Sequence, residues 1–79
     1  MAKTNNNIYD TIRTNVKKYR KLKNMTQQDL ADASGLSHGY IREIESFKMQ
    51  KTFSLEAVAS LAKGLDIDIS CLFEESIEK

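Results

Sequence analysis

Proline and tryptophan are absent from this chain, glycine occurs three times and cysteine once. The lone cysteine, Cys71, can close no internal disulfide and cannot by itself assemble a zinc site, so a disulfide scaffold and a zinc finger are both excluded. No stretch approaches the ~18 consecutive apolar residues of a membrane span. The N-terminus carries no apolar run of the signal-peptide kind. A soluble, cytoplasmic protein is therefore expected. One histidine, one cysteine and no glycine-rich phosphate loop leave little from which to build an enzyme. No cofactor, metal or small-molecule ligand is expected either. At 79 residues there is room for one domain. A core this small makes self-association a reasonable expectation.

Net charge is also scarce. Twelve Lys and Arg stand against eleven Asp and Glu, a net charge of +1, which argues weakly against a nucleic-acid binder. The distribution says more than the total. Residues 1–28 carry Lys3, Arg13, Lys17, Lys18, Arg20, Lys21 and Lys23 against Asp10, a charge of +6. Residues 29–65 come to −1 and residues 66–79 to −4. A basic front and an acidic tail point to separate roles for the two ends.

What is present is helical periodicity. Residues 1–7 are polar and read as a flexible arm. Ile8, Ile12, Val16 and Tyr19 then recur at helical spacing and predict a first helix over 8–23. Asn7 can cap its start, and Asn24 tolerates the left-handed turn that ends it. Thr26, Ser37, Ser54 and Asp68 are further N-cap residues, each with an apolar residue before it and another four positions after it. They predict helices over 27–34, 38–46, 55–65 and 69–75. Nothing alternates with period two for long enough to make a strand. The expected fold is all-α, a compact five-helix bundle spanning 8–75, with a short tail over 76–79. Gly64, inside the last turn of the fourth helix, suggests close packing, and Asp66 takes the cap position after it. Residues 47–53 form a loop without glycine or proline.

Only Gly35, Leu36 and Ser37 separate the second and third helices, which forces a steep crossing. Ala31 is small enough to let the helices approach. Gly35 supplies the unusual backbone angle. Ile41 and Ile44 seal the second helix of the pair onto the first. Across 27–46 this places alanine fifth, glycine ninth and isoleucine fifteenth and eighteenth, the helix-turn-helix pattern.

The chain resembles the lambda-repressor-like (XRE) family of DNA-binding domains over 12–73. The likeness is carried by Val16-Lys-Lys-Tyr-Arg20, Met25-Thr-Gln-Gln-Asp-Leu-Ala31, Gly35-Leu-Ser37, Tyr40-Ile41, Ile44-Glu45, Ser54-Leu55 and the run Leu61 to Phe73. The resemblance implies a five-helix bundle that binds double-stranded operator DNA, usually as a homodimer, and regulates transcription; a repressor is expected, although the sequence leaves activation versus repression open. It also implies a structural salt bridge between Arg20 and Glu45. A protein-interaction module on the same scaffold, an antitoxin or an adaptor, is the alternative, and an exposed patch of Phe47, Met49 and Phe53 would favour it.

With Ile41 and Ile44 inward, Gly39, Arg42, Glu43 and Ser46 point most directly outward from the recognition helix, with His38 on its flank. Arg42 is the leading candidate for base readout, because its fork donates two hydrogen bonds to guanine. His38 and Gly39 match positions that read bases in the family, although Gly39 has no side chain to read with and can instead allow close approach. Glu43 either accepts from a cytosine amine or excludes wrong sequences by repelling phosphate. For phosphate contact the candidates are Gln27, which matches a family glutamine, with Ser37, Tyr40 and Ser46. The expected dimer surface is Ile67, Ile69, Leu72, Phe73 and Ile77, the part least suited to touch DNA. Cys71 is read as a packing residue.

Overall fold

Short polar side chains fix the helix starts. The computed structural model describes residues 7–75, which form α1 (Ile8–Leu22), α2 (Gln27–Ser34), α3 (His38–Glu45), α4 (Leu55–Leu65) and α5 (Ser70–Phe73). Asn7 accepts from the Tyr9 amide at 2.9 Å. Thr26 and Asp29 form a reciprocal capping box at the head of α2. Ser37 and Ser54 cap α3 and α4 through the amides of Tyr40 and Ala57, both at 3.1 Å. Each cap satisfies an amide that has no partner inside its helix. The described residues contain no strand.

Four boundaries differ from the sequence expectation, the fourth being the end of α5 at Phe73 where 75 is expected. α1 ends at Leu22, where Lys23 caps and Asn24 turns left-handed with φ 56°. α3 ends at Glu45, because Ser46 adopts an extended backbone. α5 is a single turn that begins at Ser70, not at 69. Asp68 there accepts from the Ser70 amide two residues on, at 3.3 Å, a local turn instead of a helix cap.

The core collects Ile12 and Val16 from α1, Leu30 and Ala31 from α2, and Ile41 and Ile44 from α3. Phe53, Ala57, Val58, Leu61, Ala62, Leu65 and Leu72 complete it. Ile8 was expected on this stripe but faces outward, 49% exposed. Tyr9 takes its place and meets Phe53 edge-on, with ring centroids 5.1 Å apart. Asp66 ends α4 in the left-handed conformation with φ 59°. At Gly64 the backbone of α4 comes against Ser34 of α2.

Four polar side chains are buried with the apolar ones: Arg13, Asn15, Arg20 and Glu45. None is orphaned among the described residues, as burial of polar groups requires. Asn15 donates both hydrogens of its amide, one to the Leu72 carbonyl and one to that of Glu74, each at 2.8 Å. That bond pair fastens the short α5 to the middle of α1. The expected arm and tail fall mostly on 1–6 and 76–79, and these lie outside the described residues together with Ile77.

Candidate nucleic-acid interface

The turn between α2 and α3 rests on Gly35, whose φ of 79° is left-handed and costs glycine nothing. Its amide closes α2 on the Ala31 carbonyl at 2.9 Å. Two residues later Ser37 opens α3, so both helix starts are set by local sequence. Ile41 and Ile44 are fully buried and orient α3 on the core.

Two buried arginines clamp this unit. Arg20 meets Glu45 with a two-pronged pair, Nε to Oε2 at 2.7 Å and a terminal nitrogen to Oε1 at 2.9 Å. Its other terminal nitrogen donates to the Met25 carbonyl at 2.9 Å. Gln27 donates to Glu45 Oε1 at 3.0 Å. The end of α1, the start of α2 and the end of α3 thus converge on one carboxylate. Arg13, 1% exposed, works from the other side. It donates to Asp10 at 2.9 Å, to the Ile44 carbonyl at 3.0 Å and to the Lys51 carbonyl at 3.2 Å. The Phe47 and Phe53 rings lie 5.6 and 5.8 Å from its guanidinium carbon. Sequence reasoning missed the roles of Arg13 and Asn15. The signal for Arg13 was its place one turn after Tyr9 and next to Ile12, on the buried side of α1.

On the outward face of α3, Gly39 and Arg42 are exposed, and His38, Tyr40 and Glu43 are half-buried. A β-carbon at Gly39 would meet only open space. Arg42 makes no hydrogen bond or ion pair among the described residues. Glu43 pairs loosely with Lys51, 3.7 Å away. Ser46 is not the outward helical residue expected: it terminates α3, and its hydroxyl accepts from the Met49 amide at 3.2 Å. Lys17, Lys18, Lys21, Lys23, Lys48 and Lys51 are all exposed.

The expected dimer residues divide. Phe73 is 38% exposed, while Ile67 and Ile69 are half-buried against the core. Leu72 has no exposed surface and belongs to the protomer's own core, which removes it from any interface. The Phe47, Met49 and Phe53 patch is also smaller than expected, because Phe53 lies in the core beneath Tyr9. The described residues hold no cluster of metal-ligating side chains and no helix long and apolar enough to cross a membrane.

Comparison with known proteins agrees with this geometry. Residues 16–70 match the helix-turn-helix family model. The chain is 32% identical over 62 residues to control protein C.SmaI of Serratia marcescens, covering 78% of this chain and 71% of that one. Its fold is similar to the restriction-modification controller protein C.AhdI from Aeromonas hydrophila, with TM-score 0.74 and 31% identity, over 82% of this chain and 96% of that one. It is similar also to the restriction-modification controller protein C.Esp1396I, with TM-score 0.76 and 29% identity, over 86% of each chain. With its turn, its sealed helix pair and more than half its length matched, the chain belongs to the helix-turn-helix family of DNA-binding proteins, of the lambda-repressor-like (XRE) type.

Proposed function

We propose that this chain is a sequence-specific transcriptional regulator that controls a restriction-modification system. In this reading it binds operator DNA as a homodimer with α3 in the major groove. The observation that carries it is Arg42: exposed, outward and unpaired on a helix clamped at its far end by two buried arginines. A rigid helix that presents a free guanidinium fork suits guanine, which offers two acceptors on its major-groove edge. His38 and Gly39 lie at the leading end of the same helix, where side chains reach base edges and a bare backbone allows close approach.

Phosphate contacts then set the register. The Ser37 hydroxyl accepts from the Tyr40 amide and keeps its own proton to donate. One hydrogen of the Gln27 amide group is committed to Glu45, which leaves the second for phosphate. The Tyr40 phenol and the first amides of α2 and α3 add donors on the same side. Ile67, Ile69 and Phe73 supply the apolar surface for a second copy. A two-fold pair meets a roughly palindromic operator with half-sites one helical turn apart. The near-zero net charge makes affinity depend on two domains engaging together.

Selection of bound duplexes from a random pool tests the proposal. Enrichment of a palindrome with half-sites about 10–10.5 base pairs apart, bound less tightly as salt rises, is the expected result. A pool that remains unenriched, or binding indifferent to salt, rejects it.

A further inference from the structure

Arg13 has no place in the expected site, yet it is the most connected polar side chain of the core. Its guanidinium reaches three segments: Asp10 on α1, the Ile44 carbonyl in the last turn of α3 and the Lys51 carbonyl in loop 47–53. Phe47 covers one approach to it and Phe53 another. Burying a guanidinium is costly unless its donors are met by well-placed acceptors. The loop contains no glycine or proline, and Gln50 within it is left-handed with φ 50°. Its internal bonds are few: Gln50 donates to the Phe47 carbonyl, and the Met49 amide donates to Ser46. Beside the burial of Phe53, the bond from Arg13 is thus the tie that fixes the backbone of this loop to the helical body.

The consequence appears at Lys51. The residue whose carbonyl Arg13 holds is the one whose ammonium lies 3.7 Å from Glu43 on the outward face of α3. Both ends of that pair are solvent-accessible, at 47% and 39% of the side chain, so the pair contributes little to stability. It does, however, place a cation beside the acidic side chain that flanks Arg42. An unshielded carboxylate there repels phosphate. One partly neutralised by a lysine repels it less and keeps a free oxygen for a donor such as the cytosine amine.

We propose that Arg13 is a positioning residue for sequence readout: by holding the Lys51 backbone it keeps the Lys51 ammonium against Glu43 and so fixes the preference that Glu43 imposes on the DNA. The inference rests on the proposed DNA-binding function. It adds a specificity device made of one buried residue, Arg13, and one loop residue, Lys51, neither of which stands on the recognition helix.

The test measures relative affinities of the full chain for the selected operator and for its single-base variants. Arg13→Lys keeps the charge and has three donors, but they radiate from one nitrogen on a shorter side chain and cannot meet the three acceptors that the arginine fork spans. Lys51→Met leaves the loop backbone in place, and its exposed position spares the fold. Both substitutions are expected to relax preference at the same base position, by about two- to fivefold, the size of a surface ion pair. In a Glu43→Gln background neither substitution is expected to change the preference at that position further. If Arg13→Lys lowers thermal stability while the ranking of all operator variants is unchanged, Arg13 is a structural residue only and the inference is overturned. The same holds if Lys51→Met alters affinity equally for every sequence, since Lys51 then contacts phosphate. A wild-type chain that binds every duplex alike overturns the DNA-binding function and this inference together, whereas the two preceding outcomes leave that function standing.

Discussion

Gly64 of α4 sits against Ser34 of α2 so closely that a β-carbon at Gly64 would lie 2.9 Å from both the Ser34 backbone nitrogen and its β-carbon. A glycine inside a helix gives up about 1 kcal/mol relative to alanine, so the helix alone would favour replacing it. The contact decides otherwise. Two of the three nearest atoms are backbone, and the C-terminal residue of α2 cannot shift without moving the turn at Gly35. Gly64→Ala is expected to destabilise the protein by about 1–3 kcal/mol, the usual cost of overpacking. Urea denaturation checks this, and a gain in stability would show that α2 and α4 can separate freely.

The Arg20–Glu45 pair supports a second expectation. Both side chains are buried, at 10% and 2% exposure. Arg20→Met would strand the Glu45 carboxylate with the Gln27 amide as its one remaining partner. A loss of about 3–5 kcal/mol follows from leaving one member of a buried pair alone, which is a large share of a small domain's stability. The double substitution Arg20→Met with Glu45→Leu is expected to recover much of that loss. Thermal denaturation of the three variants measures it, and a double mutant no better than the single would mean that the Met25 and Gln27 bonds, not the stranded charge, dominate.

Leu72 and Phe73 are neighbours in α5 with opposite environments, one fully buried and the other 38% exposed. Leu72→Asp is expected to unfold the protomer, since it removes core volume and buries a carboxylate. Phe73→Asp is expected to leave the helices intact and to weaken self-association. Circular dichroism with sedimentation velocity separates the two effects. A Phe73→Asp protein that sediments like the wild type moves the dimer surface elsewhere.

The helix-turn-helix was legible because its determinants are local. Thr26, Ser37 and Ser54 cap where short polar side chains precede apolar periodicity, and Gly35 is left-handed where only three residues join two helices. Gly64 and Asp66 could be read for the same reason. The failures have a different character. Ile8 and Tyr9 are both apolar enough to open α1, and only the position of Phe53, 44 residues along the chain, decides which one turns inward. Leu72 lies on the stretch expected to form the dimer surface because it is least suited to touch DNA, whereas Asn15 draws that single turn onto α1. Arg13 enters the sequence reading only through the charge sum of residues 1–28. Its place one turn after Tyr9 marks the buried side of α1, but spacing does not name its partners, because the carbonyls of Ile44 and Lys51 are backbone atoms and leave no mark in the sequence. The pairing of Arg20 with Glu45 entered through family resemblance, not periodicity.

Arg42 permits the most direct test of how α3 meets DNA. It is exposed and makes no bond within the described residues, so Arg42→Ala removes no packing and no internal ion pair, and unfolding should be unchanged within about 0.5 kcal/mol. If its fork reads a guanine, the loss of discrimination is about 1–3 kcal/mol at one base position in each half-site, with other positions unaffected. If it instead lies on phosphate, affinity falls for every duplex alike and the slope of log affinity against log salt drops by about one per protomer. Competition binding against single-base operator variants, repeated at two salt concentrations, separates these cases. The expected outcome is the first: in the proposed complex Ser37, Gln27 and the helix-start amides serve the backbone, whereas Arg42 stands one turn further along α3, on the side opposite Ile41 and Ile44.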